Sequence, residues 1–159
     1  MLEKLRNTLN RLLKTVIVTL TIMMVLVVFM QVVFRYVLES PLVWSEELAR
    51  YLSIWITFLG ASVAVGARNH IKIDAFIGMF PVKVRKFDEL MIDLLQVVFA
   101  VTMLVAGGMM IPVVMGNLTP ALQTSFGYVY ASIPVSAVLM MLFLASNIYE
   151  DIIGLRGVK

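Results

Sequence analysis

The chain has 159 residues, of which 61% are hydrophobic and 14% are charged, and its mean hydropathy is +0.97. This composition is too apolar for a water-soluble domain and indicates an integral membrane protein. The net charge of +3 does not indicate nucleic-acid binding, because the basic residues lie between long apolar segments, where they report membrane topology. The lack of cysteine excludes disulfide, thiol and iron–sulfur chemistry.

Long uncharged segments predict four transmembrane helices. Residues 15–34 form a run of 20 uncharged residues, and about 20 residues suffice for a helix to cross a membrane. Residues 51–67 form a second, shorter run, which residues 44–50 can extend. Residues 94–149 suit two spans separated by the turn-rich stretch 116–127. We therefore predict an all-α integral membrane protein with one domain over residues 1–159, a bundle with spans near 15–37, 44–67, 87–112 and 127–150.

Basic residues are distributed unequally between the two sides of the predicted membrane. If the N-terminus is cytoplasmic, only Arg35 and Arg50 of the 13 basic residues lie on the opposite side. Cytoplasmic loops of membrane proteins carry an excess of Lys and Arg. The sequence therefore predicts a multi-pass protein with both termini in the cytoplasm.

The segment before the first span has leucines at helical spacing. Apolar residues recur at helical spacing with Lys and Arg residues between them, namely Leu2, Leu5, Leu9, Leu12, Leu13 and Val16. This pattern predicts an amphipathic helix that lies on the inner leaflet and runs into the first span. The alternative is a solvated helical extension of that span, and both interpretations remain open.

Small residues and prolines mark candidate contacts and ends of the helices. Small residues four apart let two helix backbones approach closely. The small residues of this chain either hold only this bundle together or form an interface with a partner protein. Pro112 and Pro134 predict an end or a kink in their helices. The small residues are Gly60, Ala64 and Ala67 in the second span, Gly107 and Gly108 in the third, and Ser132 and Ser136 in the fourth.

The apolar cores of the four predicted spans contain no ionisable residue, and Gln31 is the most polar side chain there. Transport pathways through membranes usually contain such residues. The single histidine, His70, lies outside the spans, and the sequence has no nucleophile–base pair or zinc motif. We therefore expect no cofactor or metal in this chain. A structural or partner-binding role is favoured over a membrane enzyme or a stand-alone, self-associating channel or exporter.

Residues 35–51 read RYVLESPLVWSEELARY and place several charges near the outer end of the first two spans. Ser40-Pro41 interrupts the helix, since the residue before proline avoids helical geometry. An ordinary helix start explains one acidic residue and the interfacial aromatics. It does not explain why four charged residues converge at one membrane depth, where they should pair with each other or with another protein. These four are Arg35, Glu46, Glu47 and Arg50. We predict a structural or partner-docking cluster of Arg35, Trp44, Glu46, Glu47, Arg50 and Tyr51.

These residues also carry a resemblance to a known family. The stretches FRYVLESPLVWSEELARYLSIWITFLGAS (34–62) and AVGARNHIKIDAF (64–76) resemble the small membrane subunit, a four-span Q-type small permease, of tripartite ATP-independent periplasmic (TRAP) transporters. The second stretch, together with its position on the basic side of the membrane, suggests a cytoplasmic-side anchoring cluster. Its members are Arg68, His70, Lys72 and Asp74.

The resemblance implies a sodium-coupled secondary transporter of the bacterial inner membrane for carboxylates such as C4-dicarboxylates, 2-oxo acids or sialic acid. A periplasmic substrate-binding protein would capture the substrate, and a large many-span subunit would carry it and hold the sodium ions. The small subunit would brace that large subunit, surrounded by membrane lipids, and would bind neither substrate nor nucleic acid.

Overall fold

The computed structural model describes residues 2–66 and 82–156. Four of its helices are long and apolar enough to cross a membrane, which confirms the predicted all-α membrane fold. The fourth span consists of a one-turn helix and a long helix that follows it. The helices are α1 (Leu2–Tyr36), α2 (Val43–Gly66), α3 (Val82–Val114), α4 (Gly127–Tyr130) and α5 (Ser132–Arg156).

The long helices pack so that α2 and α5 are the inner members. α1 packs mainly against α2, α3 packs mainly against α5, and α2 and α5 pack against each other. As a result α1 and α3 each leave an apolar face uncovered. Val25 and Phe29 on α1, and Val98 and Phe99 on α3, are exposed. In a membrane such faces contact lipid chains or another protein.

Buried residues recur every seven positions along the helices. This spacing keeps one stripe of each helix facing its neighbour and is typical of helices that cross at about 20°. The stripe of α2 consists of Ser45, Leu52, Leu59 and Gly66, and that of α3 consists of Asp93, Ala100 and Gly107.

Two apolar clusters lie where these stripes meet. Leu13 of α1, Leu59 of α2 and Phe143 of α5 form one cluster, and partly buried neighbours such as Leu9 pack around it. The other joins Ala100 of α3 to Met140 and Leu144 of α5. Because lipid tails are as apolar as these side chains, the clusters stabilise the fold mainly through close packing.

The N-terminal segment is helical and continues into the first span as one helix, α1. Leu9 and Leu13 pack in the first apolar cluster, against α2 and α5. Leu12, by contrast, is exposed, so the contacts of the segment leave both interpretations open. A position of the segment on the membrane surface stays a prediction.

The small residues divide into buried and open positions. A Cβ atom on Gly107 would lie 2.8 Å from Cγ2 of Ile133, so α3 and α5 approach closely there. Ser132 and Ser136 are fully buried. Gly60 and Gly108 face open space, with nothing within 4 Å of an added Cβ. The structure therefore assigns only part of the set to contacts inside the bundle, while Ala64 is exposed and Ala67 lies outside the described residues.

The two prolines lie near helix ends, as predicted. Pro112 is in the last turn of α3, which ends at Val114. Pro134 is in the first turn of α5, where a proline is tolerated. Because Pro134 has no N–H to donate to the carbonyl four residues earlier, at Tyr130, the break between α4 and α5 at Ala131 has a local cause.

Candidate functional site

The loop between α3 and α4 is an ordered, hairpin-like element rather than a loose connection. The Thr119 amide donates to the Thr124 carbonyl at 2.8 Å, and the Phe126 amide donates to the Asn117 carbonyl at 3.0 Å. Gln123 has a φ of 53°, in the left-handed region that helps the chain reverse direction. The Thr119 side chain is fully buried, and its hydroxyl oxygen accepts from the Thr124 amide at 3.1 Å. We refer to residues 117–126 as the outer loop.

Glu47 connects the beginning of α2 to the tip of the outer loop. Its Oε2 atom accepts hydrogen bonds from the backbone amides of Ala121, at 2.7 Å, and Leu122, at 3.3 Å. Its Oε1 atom accepts from the hydroxyl of Tyr51. The Glu47 side chain is only 9% exposed. Two successive amides and a hydroxyl therefore replace the water that this carboxylate loses on burial.

Tyr51 extends the same joint, one turn further along α2. Its ring packs edge-to-face on Phe126, with ring centroids 6.4 Å apart and an interplanar angle of 70°. This distance and angle are typical of a favourable aromatic pair. α2 thus holds the outer loop through a carboxylate near the loop's tip and an aromatic ring at its end. We call the contacts of Glu47 and Tyr51 with the outer loop the outer joint.

The other residues of the predicted outer cluster lie outside this joint. Glu46 pairs with Arg50 at 3.4 Å, but both side chains are about two-thirds exposed, at 69% and 66%. Trp44 is exposed at the start of α2. The Arg35 guanidinium lies 5.8 Å from the centroid of the Tyr36 ring. The cluster therefore divides into a buried contact with the outer loop and an exposed set that remains available to a partner.

The opposite end of α2 is held by side chains from α1 and α5. Nη2 of Arg6 donates to the Gly66 carbonyl at 2.9 Å, and Nδ2 of Asn147 donates to the Val65 carbonyl at 3.2 Å. The Phe143 ring packs so closely on Gly66 that an added Cβ would lie 2.7 Å from it. We call these contacts the inner joint.

Sequence reasoning did not identify the residues of the inner joint. In the sequence, Arg6 is one of the basic residues that report topology, and nothing there indicates its contact with the Gly66 carbonyl, 60 residues away. Asp93 also received no role, yet it is only 6% exposed. A signal for Asp93 was present, because it lies seven residues before Ala100 on the buried stripe of α3.

The predicted cytoplasmic-side cluster falls outside the described residues. Arg68, His70, Lys72 and Asp74 all lie between the end of α2 and the beginning of α3. Their anchoring role stays a prediction. Within residues 2–66 and 82–156, no group of three or more His, Cys, Asp or Glu side chains is arranged to hold a metal ion.

Replacement of Asn147 by leucine tests the inner joint. Leucine keeps the branched shape but cannot donate to the Val65 carbonyl, so we expect the free energy of unfolding to fall by about 1–3 kcal/mol. Equilibrium unfolding in detergent measures this change. As a control, Ser146→Ala on the next, half-buried position should change stability by no more than about 0.5 kcal/mol. Equal stability of the two variants would mean that the Asn147 hydrogen bond contributes nothing.

Taken together, the helices and joints define a multi-pass membrane protein in which Glu47, Arg6 and Asn147 bind backbone groups far away in the chain. The family described as "Tripartite ATP-independent periplasmic transporters, DctQ component" matches residues 23–154. The chain therefore belongs to this family, the small permeases of TRAP transporters. Members of the family are transporter components and not enzymes.

Curated relatives agree with this assignment. A putative TRAP transporter small permease protein of Haemophilus influenzae is 26% identical over 145 residues, which are 88% of this chain and 90% of the relative. The sialic acid TRAP transporter permease protein SiaT of H. influenzae is 35% identical over 111 residues, 70% of this chain but 18% of the relative. The isethionate TRAP transporter permease protein DctMQ of Oleidesulfovibrio alaskensis is 28% identical over 138 residues, 82% of this chain and 21% of the relative.

The last two relatives are much longer than the segment they share with this chain, which spans about a fifth of each. In these two relatives, the segment that matches this chain is part of a longer permease protein.

Proposed function

We propose that this chain is the small membrane subunit of a sodium-coupled TRAP transporter and that it braces the large permease rather than carrying the substrate. The arrangement of α2 is the observation that supports a bracing role. Glu47 ties one end of α2 to the outer loop, and Arg6 and Asn147 tie the other end to α1 and α5. A helix fixed at both ends suits a rigid support better than a moving carrier element.

The proposed orientation places both termini in the cytoplasm of a bacterium and the outer joint at the periplasmic face of its inner membrane. The distribution of basic residues supports it, because only Arg35 and Arg50 lie on the outer side. The exposed Glu46–Arg50 pair and Trp44 would then face the side from which a periplasmic substrate-binding protein delivers its substrate.

The proposed substrate is an organic anion, and its choice belongs to the partners. The long relatives are named for sialic acid and for isethionate, and the family resemblance adds C4-dicarboxylates and 2-oxo acids. In the described part of this chain, the polar side chains of the two joints bind backbone groups or each other. Substrate and sodium sites are therefore proposed for the large permease.

Co-purification tests the bracing role. This chain, carrying an affinity tag, is expressed together with the large permease encoded beside it, and detergent extracts are purified on the tag. We expect the large permease to be retained and the complex to bind the substrate, while this chain alone binds none. Substrate binding by the isolated chain would contradict the proposal. Recovery of the same amount of large permease from the resin when the tagged chain is absent would contradict it as well.

A further inference from the structure

A shallow, open groove of about 590 Å³ follows the polar face of α1 near its N-terminal end, and all of its described lining residues belong to α1. Arg11 and Lys14 line it, together with Asn10, Thr15 and Val18. Arg11 and Lys14 are three residues apart, so their side chains leave the same face of the helix. Both are exposed, and neither is paired with a carboxylate in the part of the chain that the structure describes. The groove therefore presents two positive charges that neither joint uses.

The groove lies at the depth of the lipid headgroups. Lys14 is the last charged residue before the 20 uncharged residues 15–34, and Arg35 follows them. At about 1.5 Å per residue, this run is about 30 Å long and matches the hydrocarbon thickness of a membrane. Val18 and Ile22 are exposed and continue along the same face towards the membrane centre. A ligand of the groove can therefore have a polar group beside the cations and an apolar chain beside these two residues.

The groove also offers acceptor oxygens. The Thr15 hydroxyl donates to the Arg11 carbonyl at 3.0 Å, and the Thr19 hydroxyl donates to the Thr15 carbonyl at 3.0 Å, so the lone pairs of both hydroxyls stay free to accept. These acceptors suit a headgroup that carries hydroxyl donors next to its phosphate.

We propose that this groove binds a net-anionic phospholipid with a hydroxylated headgroup, such as phosphatidylglycerol. The phosphodiester lies between the Arg11 guanidinium and the Lys14 ammonium, and one acyl chain runs along Val18 and Ile22. Two cations at one phosphate favour a lipid with net negative charge over a zwitterionic one. This inference does not depend on the proposed transport role, because it needs only that α1 spans the membrane.

Native mass spectrometry of the full chain, released from nanodiscs that contain equal parts of phosphatidylglycerol and phosphatidylcholine, tests the proposal. The wild-type chain should retain more phosphatidylglycerol than phosphatidylcholine. Each of the substitutions Arg11→Gln and Lys14→Gln should lower this retention roughly fivefold. The control Arg35→Gln removes a cation at the other headgroup layer and should leave retention unchanged. The double variant Arg11→Lys, Lys14→Arg keeps both charges and should retain the lipid.

Other outcomes would overturn the proposal. Equal retention of phosphatidylcholine would show ordinary boundary lipid, and loss of the bound lipid on addition of inorganic phosphate would show a site for a free anion. If the glutamine variants lost the co-expressed large permease but kept the lipid, the groove would be a protein interface. Unchanged lipid retention in the glutamine variants would exclude a role for the two cations.

Discussion

Replacement of Glu47 by alanine is expected to release the outer loop from α2 and to lower the melting temperature by roughly 5 °C or more. The carboxylate accepts hydrogen bonds from the amides of Ala121 and Leu122 and from the Tyr51 hydroxyl, and it is almost completely buried. Alanine leaves these three donors without a partner. Hydrogen–deuterium exchange in detergent should show faster exchange of the outer-loop amides, and a thermal melt gives the loss of stability.

The neighbouring residue provides a matched control for Glu47. Glu46 is the same residue type, one position away on α2, but its ion pair with Arg50 is exposed. An exposed ion pair contributes little to stability. Glu46→Ala should therefore leave the melting temperature and the outer-loop exchange unchanged. If both alanine variants behaved alike, the hydrogen bonds of Glu47 could not be what holds the outer loop.

Replacement of Gly107 by leucine is expected to force α3 away from α5. The first added atom would already lie 2.8 Å from Cγ2 of Ile133, closer than Cβ atoms approach other side chains, and 3.1 Å from Cδ of Pro134, which is a tight contact. Overpacking of this kind costs typically about 1–3 kcal/mol, and a rigid proline on the opposite side leaves little room for relaxation. Equilibrium unfolding in detergent measures the loss.

Gly108→Leu is the control for this substitution, because nothing lies within 4 Å of a Cβ at that position. We expect Gly108→Leu to leave stability unchanged or to raise it slightly, since leucine is a better helix former than glycine. A tolerated Gly107→Leu variant would mean that α3 and α5 are further apart than the structure shows.

The number and order of the helices could be predicted because they depend on local features. An uncharged run has the length of a membrane span, and the turn-forming residues of 116–127 lie between two such runs. Pro112 and Pro134 likewise act on their own helices, which is why their positions near helix ends agree with the sequence.

The two joints could be predicted only in part, because they depend on how each helix is rotated. Adjacent residues of a helix point about 100° apart. Glu46 and Glu47 look alike in the sequence, yet one is exposed and the other is buried against the outer loop. The pair Gly107 and Gly108 differs in the same way. Rotation is set by the neighbouring helices, which lie far away in the chain.

The two joints have a common consequence for the proposed transport role. The outer joint fixes the start of α2 against a loop 74 residues away, and the inner joint fixes its end against α1 and α5. The uncovered apolar faces of α1 and α3 leave room for a large permease on either flank. A small subunit built in this way can hold a partner in place without changing shape itself.

Uptake by proteoliposomes tests the proposed function most directly. The large permease, a periplasmic binding protein and an inward sodium gradient are supplied with and without this chain, using a radiolabelled organic anion such as sialic acid. The account predicts sodium-dependent uptake only when all three proteins are present, and none with this chain alone. Full uptake without this chain, or uptake by this chain alone, would contradict it.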